Sequence, residues 1–227
     1  MSSATEREQR MAGEALASAW AEVDRLWLET LGRVAARAAH EVKGALNGVS
    51  VNLEVVRSRA ERPDAPASAV LRFAESAAQQ LDGLIRLSDA LLALARPVRE
   101  PMDVAGAVAR LVALLGPSTA AEGGTLRLEP AEDEVTTAVR GNAVRLGAAA
   151  ALLASLERKA QTTCRLESGE TVVIRVSSSV GGPIPVPPAI TQALAAVGVR
   201  VDDAADGCVL TFPRSGETPG ASGTHNA

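Results

Sequence analysis

Residues 31–56 read LGRVAARAAHEVKGALNGVSVNLEVV. Apolar side chains recur there at Leu31, Val34, Ala38, Val42, Ala45, Val49, Leu53 and Val56. The steps are three and four, the period of an α-helix with one buried stripe. No proline interrupts the chain from Ala4 to Glu61, so the spacing predicts one long helix. Arg62-Pro63-Asp64-Ala65-Pro66 then stops it, because proline lacks the N–H and turns the preceding residue away from helix. A second helix is predicted from Ser68, read as its N-cap, to Ala95, ended by Arg96-Pro97. Its stripe is Val70, Phe73, Ala77, Leu81, Leu84, Ile85, Leu91 and Leu92. Two helices with a short loop pair antiparallel. One pair leaves an apolar stripe uncovered, and the simplest closure is a homodimer whose two hairpins form a four-helix bundle. Whether residues 4–30 prolong that bundle or fold back is open from the sequence.

Beyond Pro97 the texture changes. Pro97 to Pro101 reads as a linker. A helix is predicted from Asp103, its cap, to Leu115, followed by a turn at Gly123-Gly124 and strands at Leu126–Leu128 and Thr136–Arg140. Asn142 to Lys159 reads as an Ala-rich helix, Thr171 to Val176 as a strand and Ile190 to Val197 as a short helix. Val199–Asp202 and Cys208–Phe212 read as a closing hairpin. The expected class is α+β: a helical hairpin over 1–97, then a small α/β sandwich over 98–213 with helices on one side of a mixed sheet. Residues 214–227 are small and polar and are expected to be disordered.

Composition removes several functions. The chain has 227 residues, enough for a real hydrophobic core, and 47% of them are apolar, which argues against wholesale disorder. A net charge of −4 argues against nucleic-acid binding by bulk basic charge. Aromatics at 2%, with no Tyr, leave little for base-stacking platforms. The two cysteines, Cys164 and Cys208, cannot hold zinc unaided and suggest a reducing compartment, with burial as their expected fate. Two histidines, His40 and His225, exclude a His-rich metal site, and His225 falls in the tail. The N-terminal residues are charged, with no apolar signal core, and the low-charge run Gly147–Leu156 is far short of the roughly 20 residues of a membrane span. The expectation is a cytoplasmic protein with no membrane partner. Arg140, Arg145 and Arg158 are expected to be solvated, and Gly181-Gly182-Pro183 to be an ordinary turn.

His40 is the informative residue. Two positions from both Ala38 and Val42, it points away from the helix seam and toward solvent. Its own face carries Arg33, Arg37, Gly44 and Asn47, and Glu41 and Lys43 lie close by. Gly44 and Gly48 each cost a helix roughly 1 kcal/mol against Ala, which close approach of another surface would offset. An imidazole is a good nucleophile, a neighbouring carboxylate can hold its proton on one ring nitrogen, and basic residues attract phosphoryl oxygens. On position alone a nucleophile and a merely solvated surface histidine both stand.

The run Ala38-Ala39-His40-Glu41-Val42-Lys43-Gly44-Ala45-Leu46-Asn47-Gly48-Val49 resembles the phospho-acceptor box of bacterial sensor histidine kinases, His-Glu-apolar-basic-Asn-Pro-Leu, and Val51-Asn52-Leu53-Glu54-Val55 continues the likeness. Gly44 and Ala45 replace the usual Asn and Pro, and loss of the Asn puts the family's phosphatase activity in doubt. The resemblance implies that the second domain is similar to the kinase ATP-binding domain. Arg145-Leu146 resembles the start of that domain's Asn-bearing helix, yet Gly147–Leu156 contains no Asn. The segment Val172–Pro185 resembles the strand and loop of the adenine-reading Asp-x-Gly-x-Gly, with Ser near Ser178 where the Asp would stand and Gly181 and Gly182 as remnants. No stretch between Pro188 and Val197 is long enough for an ATP lid.

A kinase-like body with a degenerate ATP site is similar to the ChpT-like histidine phosphotransferases. That resemblance implies a two-component phosphorelay role: His40 takes a phosphoryl group from a receiver-domain aspartate and passes it to another. Glu41 would orient His40. Arg37 and Lys43 would position the phosphoryl group or the partner, and Gly44 and Asn47 would lie in the docking surface. Gly44, Ala45 and Gly48 would let the receiver approach closely. The expected partners are response-regulator receivers, one of them on a hybrid histidine kinase, with no nucleic acid. The chain would hold no cofactor or metal of its own, Mg²⁺ coming with the receiver and ATP binding being absent. The alternatives are an ATP-dependent histidine kinase with a divergent site and a non-catalytic scaffold that binds a kinase or regulator.

Overall fold

The computed structural model describes residues 2–62, 66–98, 101–129 and 135–214. Helix α1 runs over Ser2–Ala60 and helix α2 over Ala67–Ala95. Ala-rich, proline-free sequence lets α1 run unbroken, at a rise that makes it about 90 Å long. Its C-terminal half pairs with α2, burying Val34, Ala38, Ala77, Ala90 and Leu94. Ser68 is not the cap of α2: Pro66, extended at φ −68° and ψ 139°, precedes the first turn, and Ser68 lies inside the helix, past the point where its hydroxyl could serve the leading N–H groups.

The N-terminal half of α1 neither folds back nor stands free along its whole length. It continues as the same helix and lays Trp20, Val23, Leu26, Trp27 and Thr30 against the second half of the chain. That half opens with β1 (Pro101–Asp103) and α3 (Val104–Ala121). Asp103 caps α3 as expected, accepting hydrogen bonds from the N–H groups of Ala105 (2.9 Å) and Gly106 (2.8 Å). The helix runs past Leu115, its expected end, and through Pro117. The proline forfeits one bond, while the hydroxyls of Ser118 and Thr119 donate to the carbonyl of Leu115 at 3.0 and 2.7 Å. At 18 residues α3 is long and apolar enough to span a membrane by length and composition. Here it is a core helix, with Val104, Ala107, Val108, Leu111, Leu114 and Leu115 buried.

Strands β2 (Thr125–Glu129) and β3 (Thr136–Arg140) lead to α4 (Gly141–Leu156). Then come β4 (Gln161–Ser168), β5 (Thr171–Ser178), α5 (Pro188–Ala195), β6 (Arg200–Ala204) and β7 (Gly207–Pro213). Five strands form one mixed sheet in the order β2-β4-β5-β7-β6, parallel only between β2 and β4, while β1 and β3 make a separate ribbon. The architecture is therefore α+β, long N-terminal helices followed by a mixed five-stranded sheet. One sheet face is apolar, with Cys164 and Leu166 on β4, Ile174 and Val176 on β5 and Leu210 and Phe212 on β7 buried. The other carries the ion pairs of Arg165 and Arg175 with Glu129 and Glu167. Sequence pattern alone predicts neither β1 nor β4. The inward residues of β4 include Thr162 and Cys164, so its alternation hides in polar letters. The tail expected to be disordered lies, from residue 215 on, outside the described residues, as do parts of both linkers.

Of the arginines expected in solvent, Arg145 is buried and Arg158 is only partly exposed. Arg145 is only 3% exposed. It donates to the carbonyls of Ala93 (3.0 Å), Leu94 (3.0 Å) and Arg96 (2.7 Å), and its guanidinium lies 5.9 Å from the Trp27 ring. It serves the carbonyl end of α2, where a helix has spare acceptors and a partial negative charge. Burial first, then repulsion from Arg110, lowers its pKa. Arg158 clasps the Gly181-Gly182-Pro183 turn, donating to all three carbonyls at 2.7–3.1 Å. Gly181 and Gly182 hold φ at +67° and +76°, as a turn requires. Arg140 is exposed, over the ring of Trp20.

Candidate functional site around His40

About two-thirds of the way along α1, His40 is exposed. The helix turn sorts its neighbours onto three strips. Glu41, half-buried, lines a groove of about 460 Å³ between α1, α2 and α3, together with Gly44, Gln80, Arg86 and Pro117. Lys43, exposed, borders a second groove of about 620 Å³ on the opposite side, lined by Val42, Leu46, Leu84, Ile85 and Leu91. Asn47 is exposed on the strip of His40 itself, and Gly44 is exposed beside it. Arg37 is partly buried and reaches toward the end of α3, where it pairs with Glu122 at 3.6 Å. One turn earlier Arg33 pairs with Glu157 at 3.5 Å.

The site residues named from the sequence are therefore close in the chain but divided in direction. His40 and Asn47 share an open strip, and Gly44 lies between it and the groove of Glu41; Lys43 turns to the groove on the other side; Arg37 is engaged by α3. A methyl group added at Gly44 would meet nothing within 4 Å among the described residues, so the surface there is open to a partner. Gly48 differs. A Cβ there would come within 2.5 Å of Gln80 Nε2, so this glycine admits a side chain of its own hairpin and is not left for a partner. Gln80 in turn accepts from Asn52 Nδ2 at 3.2 Å, and Ser76 accepts from the same nitrogen at 3.1 Å. Sequence reasoning misses Glu122 and Glu157. Each is an ordinary acid at a helix end, far along the chain from the arginine it meets, and no local pattern marks it.

In the second half, the segments resembling nucleotide-binding elements are packed. Helix α4 is buried on nearly every side, by the sheet below and by α1, α3 and α5 around it. Ser178 is buried at the end of β5. Among the described residues no cluster of three His, Cys, Asp or Glu is placed to hold a metal ion.

No protein-family model matches the chain, and no curated protein matches it. Among solved structures it is similar to the histidine kinase AdeS of Acinetobacter baumannii, at 12% sequence identity and a TM-score of 0.36, over 78% of this chain and 98% of that one.

Proposed function

We propose that this chain is a histidine phosphotransferase of a cytoplasmic two-component phosphorelay, with His40 as the residue that carries the phosphoryl group. The observation that carries the proposal is the exposure of His40 on an open strip of α1, within a run that resembles a phospho-acceptor box. A free imidazole nitrogen attacks the phosphorus of a receiver's aspartyl phosphate in line. The N–P bond forms, the P–O bond to the aspartate breaks, and the carboxylate leaves. Reversal onto another receiver completes the relay. The receiver brings Mg²⁺ for its own carboxylate pocket, so the charge on the transferring group is neutralised from the partner's side.

Glu41 sits one step round the helix from His40, and its role is to orient the ring, holding the proton on one nitrogen so that the other is free to attack. Lys43 and Arg37 supply positive charge for the phosphoryl oxygens or for the receiver's acidic edge. Gly44 and Asn47 give a low surface on which the receiver seats. The apolar groove bounded by Val42, Leu46, Leu84, Ile85 and Leu91 is the face for a second copy. With Leu46 47%, Leu81 47%, Ile85 50% and Leu92 58% exposed, the two hairpins gain most by closing on each other into a four-helix bundle. The packing of α4 and the clasped Gly181-Gly182 turn favour a second half that bears no ATP.

The test mixes the purified chain with radiolabelled phospho-receivers, with and without ATP. Label should pass to the chain without ATP and should be lost in His40→Ala. Label arriving from radiolabelled ATP, with no receiver present, would identify an autonomous kinase. Receiver binding with no label on the chain would identify a scaffold.

A further inference from the structure

The second half of the chain is seated on the stretch of α1 before His40, and two arginines that flank the histidine's strip reach across to it. Arg37 meets Glu122, and Arg33 meets Glu157, and these two acids are the C-cap residues of α3 and α4. A carboxylate at the negative end of a helix dipole is poorly placed without a cation beside it. Arg37 answers that need, but loosely. At 3.6 Å the contact is longer than a hydrogen bond, and Nη1 of Arg37 is buried without a partner among the described residues. The guanidinium therefore has unused donors. It also lies three residues before His40, so the two side chains rise from adjacent points on one helix face.

We propose that Glu122 is a positioning residue for His40: it holds Arg37 toward α3 while the imidazole is empty, and a phosphoryl group on His40 draws Arg37 away from it. The proposal rests on His40 being the phospho-acceptor. A phosphoryl dianion presents three oxygens that a guanidinium fork can bind in pairs, where Glu122 offers one long contact. In the loose, metaphosphate-like transition state those oxygens carry less charge than in the dianion. A guanidinium on them stabilises the loaded histidine more than its breakdown and lengthens its life. The same movement leaves Glu122 uncompensated at the end of α3, so loading is felt in the second half of the chain.

The test uses the full chain with His225→Ala, so that His40 is its one histidine. It is loaded with phosphoramidate: the imidazole nitrogen bonds to phosphorus, the reagent's P–N bond breaks and ammonia departs with the proton. No receiver takes part, so failure of the relay itself and failure here are separable. The half-life of phospho-His40 is followed by ³¹P NMR. Glu122→Gln should lengthen it about threefold, the scale of a partly exposed ion pair, and Glu122→Lys at least as much. Arg37→Ala should shorten it, Arg37→Lys should restore part of the difference, and Glu122→Gln should change nothing once Arg37 is Ala. Equal half-lives in the parent and Glu122→Gln, an effect of Glu122→Gln that survives Arg37→Ala, or a His40 that takes no phosphoryl group would each overturn it.

Discussion

Arg145 shows how one side chain ties a hairpin to the domain that follows it. Three carbonyls at the end of α2 depend on its two terminal nitrogens, and its plane lies near Trp27 of α1. Arg145→Leu leaves those carbonyls in an apolar setting and should cost about 3 kcal/mol in urea unfolding. Arg145→Lys keeps the charge but not the fork, and should recover only part of that loss. Nothing local marks this residue: arginine is mostly exposed, and its partners lie some fifty positions away. His40 is legible for the opposite reason, since its exposure follows from helical phase alone. The buried thiols make a second case. Burial pushes both Cys164 and Cys208 up from 9.0 to about 12. The folded state favours the neutral thiol, so this contribution is complete below pH 9 and is lost as pH rises from 9 toward 12. Unfolding free energy should fall across that window by up to about 1.4 kcal/mol per pH unit for each thiol, and Cys164→Ala with Cys208→Ala should flatten the slope.

At the scale of elements, the helices are legible because period and proline mark them. Asp103 reads as a cap because its side chain acts within three residues. Strand β4 escapes because its inward positions are Thr162, Cys164 and Leu166, two of them polar or small, and because its stability comes from β2 and β5, which are distant in sequence. The extension of α3 through Pro117 escapes because burial outweighs the local penalty. The Trp20–Thr30 stretch has the helical apolar period, but period alone does not say whether a second copy or the same chain covers it. The stripe that remains open on α1 and α2 carries the dimer proposal. Leu46→Glu or Ile85→Glu should shift the chain from dimer to monomer in sedimentation equilibrium while far-UV circular dichroism stays unchanged.

For the whole molecule, one apolar core extends from Val23 on α1 through Leu94, Leu115 and Leu152 to Phe212 on β7. Asp24–Asn142, Arg33–Glu157, Arg37–Glu122 and Arg145 cross the same boundary. With so much shared packing, the hairpin and the sandwich should unfold together: tryptophan fluorescence, which reports Trp20 and Trp27, and far-UV circular dichroism should give coincident urea transitions. The joint also sets the setting of His40, which stands on an exposed strip beside a second half held in place. The most direct test follows the phosphoryl group itself. A labelled phospho-receiver is mixed with the chain and a second, unlabelled receiver, without ATP. Relay through His40 requires label on the second receiver only when the chain is present, and none with His40→Ala. Transfer that proceeds equally well through His40→Ala, or a wild-type chain that passes no label between any pair of receivers, would contradict it.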